Sequence, residues 1–160
     1  MNIFFTLLLL LLFLTFFGAL FEAPWVPTWK KDFERIAKLA QLKKGMVFYD
    51  LGSGTGKMLF YLSDKYEVSC VGIEISPILY LYSKFKSLFH KNVKIKYGNF
   101  YKHDLSEADV IYIYLMSKVF NKDNLREKIS KELRDDSKII ISTWPLKNVS
   151  PLKISEVNSE

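Results

Sequence analysis

The sequence is poor in the residues that staple or metallate a small protein. It has one cysteine, Cys70, in 160 residues, so no disulfide can form within the chain and a cysteine-based zinc site is not expected. Cys70 stands in the apolar run 68–73 and is expected in the core. The two histidines, His90 and His103, show no ligand spacing, so both are expected at the surface and no metal is expected. Charge is missing from one end: all 23 Lys+Arg and all 17 Asp+Glu lie from Glu22 onward. No basic residue precedes the N-terminal apolar run, and Gly18-Ala19-Leu20 makes a poor cleavage site, which argues against a secretory signal peptide.

What fills that uncharged end is the run Ile3 to Phe21, interrupted only by Thr6, Thr15 and Gly18. As a helix at 1.5 Å per residue it would be about 28 Å long, close to the roughly 30 Å hydrocarbon core of a bilayer. The expectation is a single-pass membrane anchor over residues 1–22. Lys30, Lys31 and Arg35 follow the run and nothing basic precedes it, so the remainder should face the cytoplasm. Trp25 and Trp29 stand where an interfacial aromatic belt would lie.

The part after the anchor is long enough for one domain with a core and too short for two. It carries the whole net charge of +6. Such a charge suits an anionic lipid surface or a nucleic acid, but the lysines are scattered, so a solvated Lys-rich surface is the plainer expectation. Residues 23–44 read as a linker and a first helix. Pro24 and Pro27 keep the linker irregular, Thr28 is placed to cap a helix over 30–41, and Phe33, Ile36, Ala37 and Ala40 share one face of it. Residues 45–150 then alternate: strands at 46–49, 68–74, 93–97, 109–115 and 138–143, and helices at 57–65, 77–90 and 121–133. Apolar strands separated by helices predict a doubly wound parallel α/β sheet with right-handed crossovers. Residues 151–160 are a tail.

The segment Asp50-Leu51-Gly52-Ser53-Gly54-Thr55-Gly56 follows the first strand and precedes a helix. Alternate glycines let a backbone turn sharply and meet a ligand without a Cβ in the way. A dinucleotide loop needs G-x-G-x-x-G, but the third position is Lys57 counted from Gly52 and Leu59 counted from Gly54. A Walker loop is absent because Met58 follows Gly56-Lys57. The pattern acid-x-G-x-G-x-G is instead similar to the loop of Rossmann-like S-adenosylmethionine methyltransferases. Asp50 suits a ligand bearing an ammonium and a sulfonium. Glu74 closes the second strand and is placed for ribose hydroxyls. Asn99 and Phe100 follow the third strand, where an amide can pair with the adenine amino group and a ring can stack. The expected cofactor set is Asp50, Gly52, Ser53, Gly54, Gly56, Glu74, Asn99 and Phe100.

YDLGSGTGK, VGIE, GNF and DLSEADVIYIYL together resemble the membrane-anchored lysine methyltransferases related to those acting on the ATP synthase c-subunit and the ADP/ATP carrier. The A-P-W-V-P-T linker and the late S-T-W-P-L are similar to elements of that family, and the resemblance covers roughly residues 20 to 148. It departs at Asn99, where Asp is usual, and at Ser142-Thr143, where His-Asp is frequent. The chain also stops soon after the fifth strand, where class members usually add an antiparallel pair. This implies a class I methyltransferase fold shortened at its C-terminal side: either the edge is open, as a pairing hazard or a partner site, or the sequence is truncated.

The activity the resemblance implies is N-methylation of a lysine on a membrane-associated protein. Tyr114 is the expected contact to the amine, with Thr28 and Trp25 closing the pocket and Tyr112 in the core. Other acceptors stay open. The Asn/Asp-Pro-Pro-aromatic motif is absent after strand four, which weighs against a nucleobase, while the basic charge leaves RNA, a small amine or a lipid in play. A non-catalytic anchored module is the further alternative.

Overall fold

The computed structural model describes residues 3–21, 28–114, 123–142 and 151–155, with side chains described in the first helix only to Leu14. That helix, α1 (Ile3–Phe21), carries no charged residue. Its described side chains are exposed apart from Leu11, which is half-buried. Among the described residues no helix is long and apolar enough to cross a membrane. Thr143 and residues 144–146 lie outside the described residues, as do Trp25 and Met116.

The remainder is a parallel sheet of five strands in the order β3-β2-β1-β4-β5. The strands are β1 (Val47–Leu51), β2 (Ser69–Glu74), β3 (Val93–Tyr97), β4 (Val110–Ile113) and β5 (Lys138–Ile141). The helices are α2 (Lys30–Ala40), α3 (Lys57–Tyr66), α4 (Pro77–Ser87) and α5 (Asp123–Glu132), with a short 3-10 turn at Phe100–Lys102. The chain leaves β1 toward β2 on one side and returns to β4 on the other, so β1 and β4 flank the point where the strand order reverses. A crevice opens there at the C-terminal strand ends.

Strand alternation divides two cores. Phe48, Cys70, Val93, Ile95, Val110 and Tyr112 face α2 and α3. Tyr49, Leu51, Val71, Ile73, Ile111 and Ile113 face the other way, toward Leu125 and Ile129 of α5. The amphipathic face expected of the first helix is the one α2 buries: Phe33, Ile36, Ala37 and Ala40. Cys70 is buried as expected, and burial pushes its thiol up, so it is an inert core residue. Glu34 ties α2 to α3 by accepting from Tyr61, Lys65 and Tyr66, and these partners hold its carboxyl near a pKa of about 2.

One close approach organises the loop side of the sheet. A Cβ on Gly72 of β2 would stand 2.7 Å from Leu59 Cδ1 and 2.6 Å from Ser53 Oγ. Leu59 of α3 and Ser53 of the loop therefore both rest on the bare backbone of Gly72.

Candidate active site

β1 delivers Asp50 to the middle of the crevice, in register with Gly72 on one side and Tyr112 on the other. The loop then turns through three left-handed glycines, Gly52 (φ 92°), Gly54 (φ 56°) and Gly56 (φ 71°), which L-residues with a Cβ rarely adopt. It is pinned to β2: the N–H groups of Gly52 and Ser53 both donate to Ile73 O, at 2.9 and 3.1 Å. Gly54 N–H donates to Glu74 Oε2 at 2.7 Å, and Ser76 N–H donates to Glu74 Oε1 at 2.7 Å. Glu74 is thus both the end of β2 and the brace of the loop.

Two buried carboxyls share this corner. Burial pushes Asp50 up to about 8, and the nearby Glu74 charge adds to it. Burial also raises Glu74, against the backbone N–H bonds that favour its charged form. At neutral pH Asp50 is therefore largely neutral. A cation arriving beside it would draw the proton off.

The cleft beside Asp50 encloses about 430 Å³, part of it open to solvent, and is lined by Thr28, Phe33, Gly52, Ser53, Lys57 and Tyr114 among others. Ser53 Oγ is buried with no hydrogen-bond partner among the described residues, as is Ser76 Oγ beside Glu74. Buried hydroxyls without partners are uncommon and mark places where a ligand or water completes the bonding.

The opposite wall is a chain of hydroxyls. Thr28 Oγ1 lies 3.1 Å from Tyr112 OH, which lies 2.9 Å from Ser142 Oγ. This joins the segment entering α2, the middle of β4 and the end of β5. Burial raises Tyr112 to about 12, against the two hydroxyl contacts that lower it, so it keeps its proton at any ordinary pH. Thr28 does not cap α2: Trp29 occupies that position without a side-chain cap bond, and the Thr28 hydroxyl is held by Tyr112.

The expected residues therefore divide. Asp50, Gly52, Ser53, Gly54, Gly56 and Glu74 come together around the loop, and Thr28 and Tyr114 converge on the cleft from the other side. Asn99 caps the 3-10 turn, its Oδ1 accepting from Tyr101 N–H at 2.9 Å. Phe100 is buried with Leu51, Ile73 and Leu105, where the 3-10 turn folds it inward. Sequence reasoning does not single out Phe33, Tyr112 and Ser142 for the site. The alternation of Val110 to Tyr114 holds the clue, since it puts Tyr112 and Tyr114 on one face, the face of Asp50, with which Tyr112 is in register.

The family described as the ANTKMT methyltransferase domain matches residues 50–153. A protein-lysine N-methyltransferase of Saccharolobus islandicus is 28% identical over 140 residues, covering 85% of this chain and 86% of that protein. The human lysine N-methyltransferase of the ATP synthase c-subunit is 26% identical over 131 residues, covering 80% of this chain and 54% of that protein. Among solved structures, an RNA methyltransferase from Salinibacter ruber in complex with S-adenosyl-L-homocysteine superposes with a TM-score of 0.79 at 26% identity, covering 84% of this chain and 88% of that one. A Geobacter sulfurreducens S-adenosylmethionine-dependent methyltransferase shares the fold, with a TM-score of 0.63 at 19% identity, covering 78% of this chain and 52% of that one.

Proposed function

Because the chain belongs to the ANTKMT methyltransferase domain family, we propose that it methylates a lysine side-chain amine on a membrane-associated protein, held at that membrane by α1. The chain is an S-adenosylmethionine-dependent methyltransferase with a class I Rossmann-like fold. The acceptor and the anchor are the proposal.

The residues present fit the cofactor. The loop backbone between Gly52 and Gly56 has no Cβ at its turns, the Ser53 hydroxyl is an orphan in the cleft, and Asp50 is a neutral acid ready to become a counter-ion. Asp50, Ser53 and the glycine backbone would hold the amino-acid end, Glu74 the ribose and Asn99 the adenine edge. When bound, the cofactor supplies an electrophilic methyl carbon on a sulfonium.

The observation that carries the acceptor is the aromatic wall facing that loop: Phe33, Tyr112 and Tyr114, with Thr28 among them. A lysine amine is protonated in water, with a pKa near 10.4, and only its neutral form has a lone pair to give. Apolar and aromatic walls penalise the ammonium and favour the amine, so its proton leaves to solvent as it enters. Tyr112, fixed by Thr28 and Ser142 and never ionised, sets the width of the cleft. Tyr114 stands where the amine nitrogen would be directed. Holding amine and methyl carbon in line supplies much of the rate. The names of the Saccharolobus and human relatives support the same acceptor.

α1 supports the anchor by its composition: 19 residues with no charge at either end, followed by Lys30, Lys31 and Arg35. On that reading the domain faces the cytoplasm.

The test is to incubate the full chain, labelled cofactor and a membrane fraction, then to hydrolyse the protein and look for methyl-lysine by mass spectrometry. Methyl-lysine is expected. Label found in added RNA instead would favour an RNA acceptor, the class for which the Salinibacter enzyme is named. Alkaline carbonate extraction of the membranes checks the anchor, which is lost if the full chain is released to the supernatant.

A further inference from the structure

α4 is built inside out. The positions it buries are serines, Ser83 and Ser87. Each hydroxyl is satisfied by its own helix: Ser83 Oγ donates to Leu79 O at 2.8 Å and Ser87 Oγ to Lys84 O at 2.7 Å. The small side chains let α4 ride close over the glycine loop, with Ser83 Cβ 3.5 Å from where a Cβ on Gly56 would stand. Outward, α4 shows Leu81, Tyr82 and Phe85, and the turn after it shows Leu88 and Phe89. All five are at least half exposed, up to 74% for Phe89. Phe85 and Phe89 meet edge to face at 5.8 Å between centroids. A contiguous apolar ridge of this kind is not what a helix turned to water carries.

The charge around the ridge is equally one-sided. Residues 75–103 hold six lysines (84, 86, 91, 94, 96 and 102) and no Asp or Glu. Of the 23 Lys+Arg in the chain, the 17 outside this segment equal the 17 Asp+Glu, so the segment accounts for the entire net charge of +6. What distinguishes it is the missing carboxylates. Lys84, Lys91, Lys94 and Lys102 are exposed. α1, which carries no charge, approaches α4 in the fold.

We propose that α4 and the turn after it lie in the plane of an anionic membrane surface. The ridge of Leu81, Phe85, Leu88 and Phe89 sits at the level of the acyl–headgroup boundary, and Lys84 and Lys91 lie against anionic headgroups. An in-plane helix of this type needs an apolar face, flanking lysines that reach the headgroups with long stems, and a negative surface. An RNA surface would use the lysines but leave Leu81 and Leu88 without a role, since stacking needs rings. The contact is independent of which acceptor is methylated.

Vesicle binding by the full chain does not isolate this contact if α1 inserts, so the test reads depth at α4. The full chain carries an environment-sensitive fluorophore at Leu88→Cys, or at Glu127→Cys on the exposed face of α5 as the reference; buried Cys70 stays unlabelled. Phosphatidylcholine vesicles, with or without phosphatidylglycerol, carry a nitroxide-labelled lipid. Quenching several-fold stronger at position 88 than at 127 is expected, and it should rise with phosphatidylglycerol. The double variant Lys84→Gln/Lys91→Gln should lose that rise. Equal quenching at the two positions, or a label at 88 shielded by added RNA and not by vesicles, overturns the proposal. Calorimetric binding of cofactor to the same labelled chains separates the outcomes: a chain that binds cofactor but shows equal quenching loses the membrane contact alone.

Discussion

α3 and α4 are consecutive crossovers on the same side of the sheet, yet they divide their residues in opposite ways. α3 buries Met58, Leu59, Phe60 and Leu62. α4 fully buries only two serines, keeps Ile78, Leu79 and Tyr80 half-buried, and turns Leu81, Tyr82 and Phe85 outward. The difference shows that burial on this side is set by how close each helix must come. α3 fills a space with side chains, and Gly72 makes room for one of them. α4 crosses the glycine loop where small residues fit, and Leu81, Tyr82 and Phe85 are left for a second environment.

The comparison is broken most directly by truncating each helix. Leu59→Ala should cost about 2–5 kcal/mol, because it opens a cavity over Gly72 that the sheet cannot close. Phe85→Ser on α4 should stay within ~0.5 kcal/mol. Urea titrations of the full chain in detergent micelles give both numbers, and equal losses would end the distinction. Adding volume from the strand side is the complementary change. Gly72→Ala should destabilise by about 1–3 kcal/mol through overpacking and, by displacing Ser53, weaken cofactor binding measured by calorimetry.

The carboxyl corner predicts a pH dependence. Between its ordinary value of 3.8 and about 8, Asp50 holds a proton in the folded chain that the unfolded chain has released. That contribution to the cofactor-free stability is present in full below 3.8 and is lost as pH rises through about 8. Cofactor binding should run the opposite way, strengthening by up to about tenfold per pH unit below 8 and releasing a proton. Calorimetry in buffers of different ionisation enthalpy counts that proton, and Asp50→Asn should abolish it. The smallest effect expected is that of Tyr112→Phe. Losing the hydroxyl should cost about 1 kcal/mol, lower the rate of methyl transfer, and leave the Kd for cofactor unchanged.

The alternation of strands and helices is legible in the sequence because β1, β2 and β4 are buried on both faces; β3, an edge strand with Lys94 and Lys96 on one face, lies at the expected Val93–Tyr97. The loop residues are legible because positive φ selects glycine. Contacts between distant parts of the chain are not. Thr28 has the makings of a helix cap, but its hydroxyl goes to Tyr112, 84 residues away. Phe100 is free to stack as far as the sequence shows, but the 3-10 turn folds it into the core. The basic excess reads as scattered because lysines are spread evenly, and its location shows only when the carboxylates are placed as well. The third glycine of a dinucleotide loop is absent at Leu59, and the close approach it would provide comes instead from Gly72 on the neighbouring strand.

Thr28 sits in the cleft wall only seven residues after Phe21, the last residue of α1. Seven peptide steps reach at most about 25 Å when fully extended. With α1 embedded as proposed, the cleft is on a leash of that length. An acceptor amine would then be selected by its height above the bilayer before any sequence around it was read. A lysine on a long cytoplasmic extension of a partner would pass out of range, while one close to the lipid surface would fall within it.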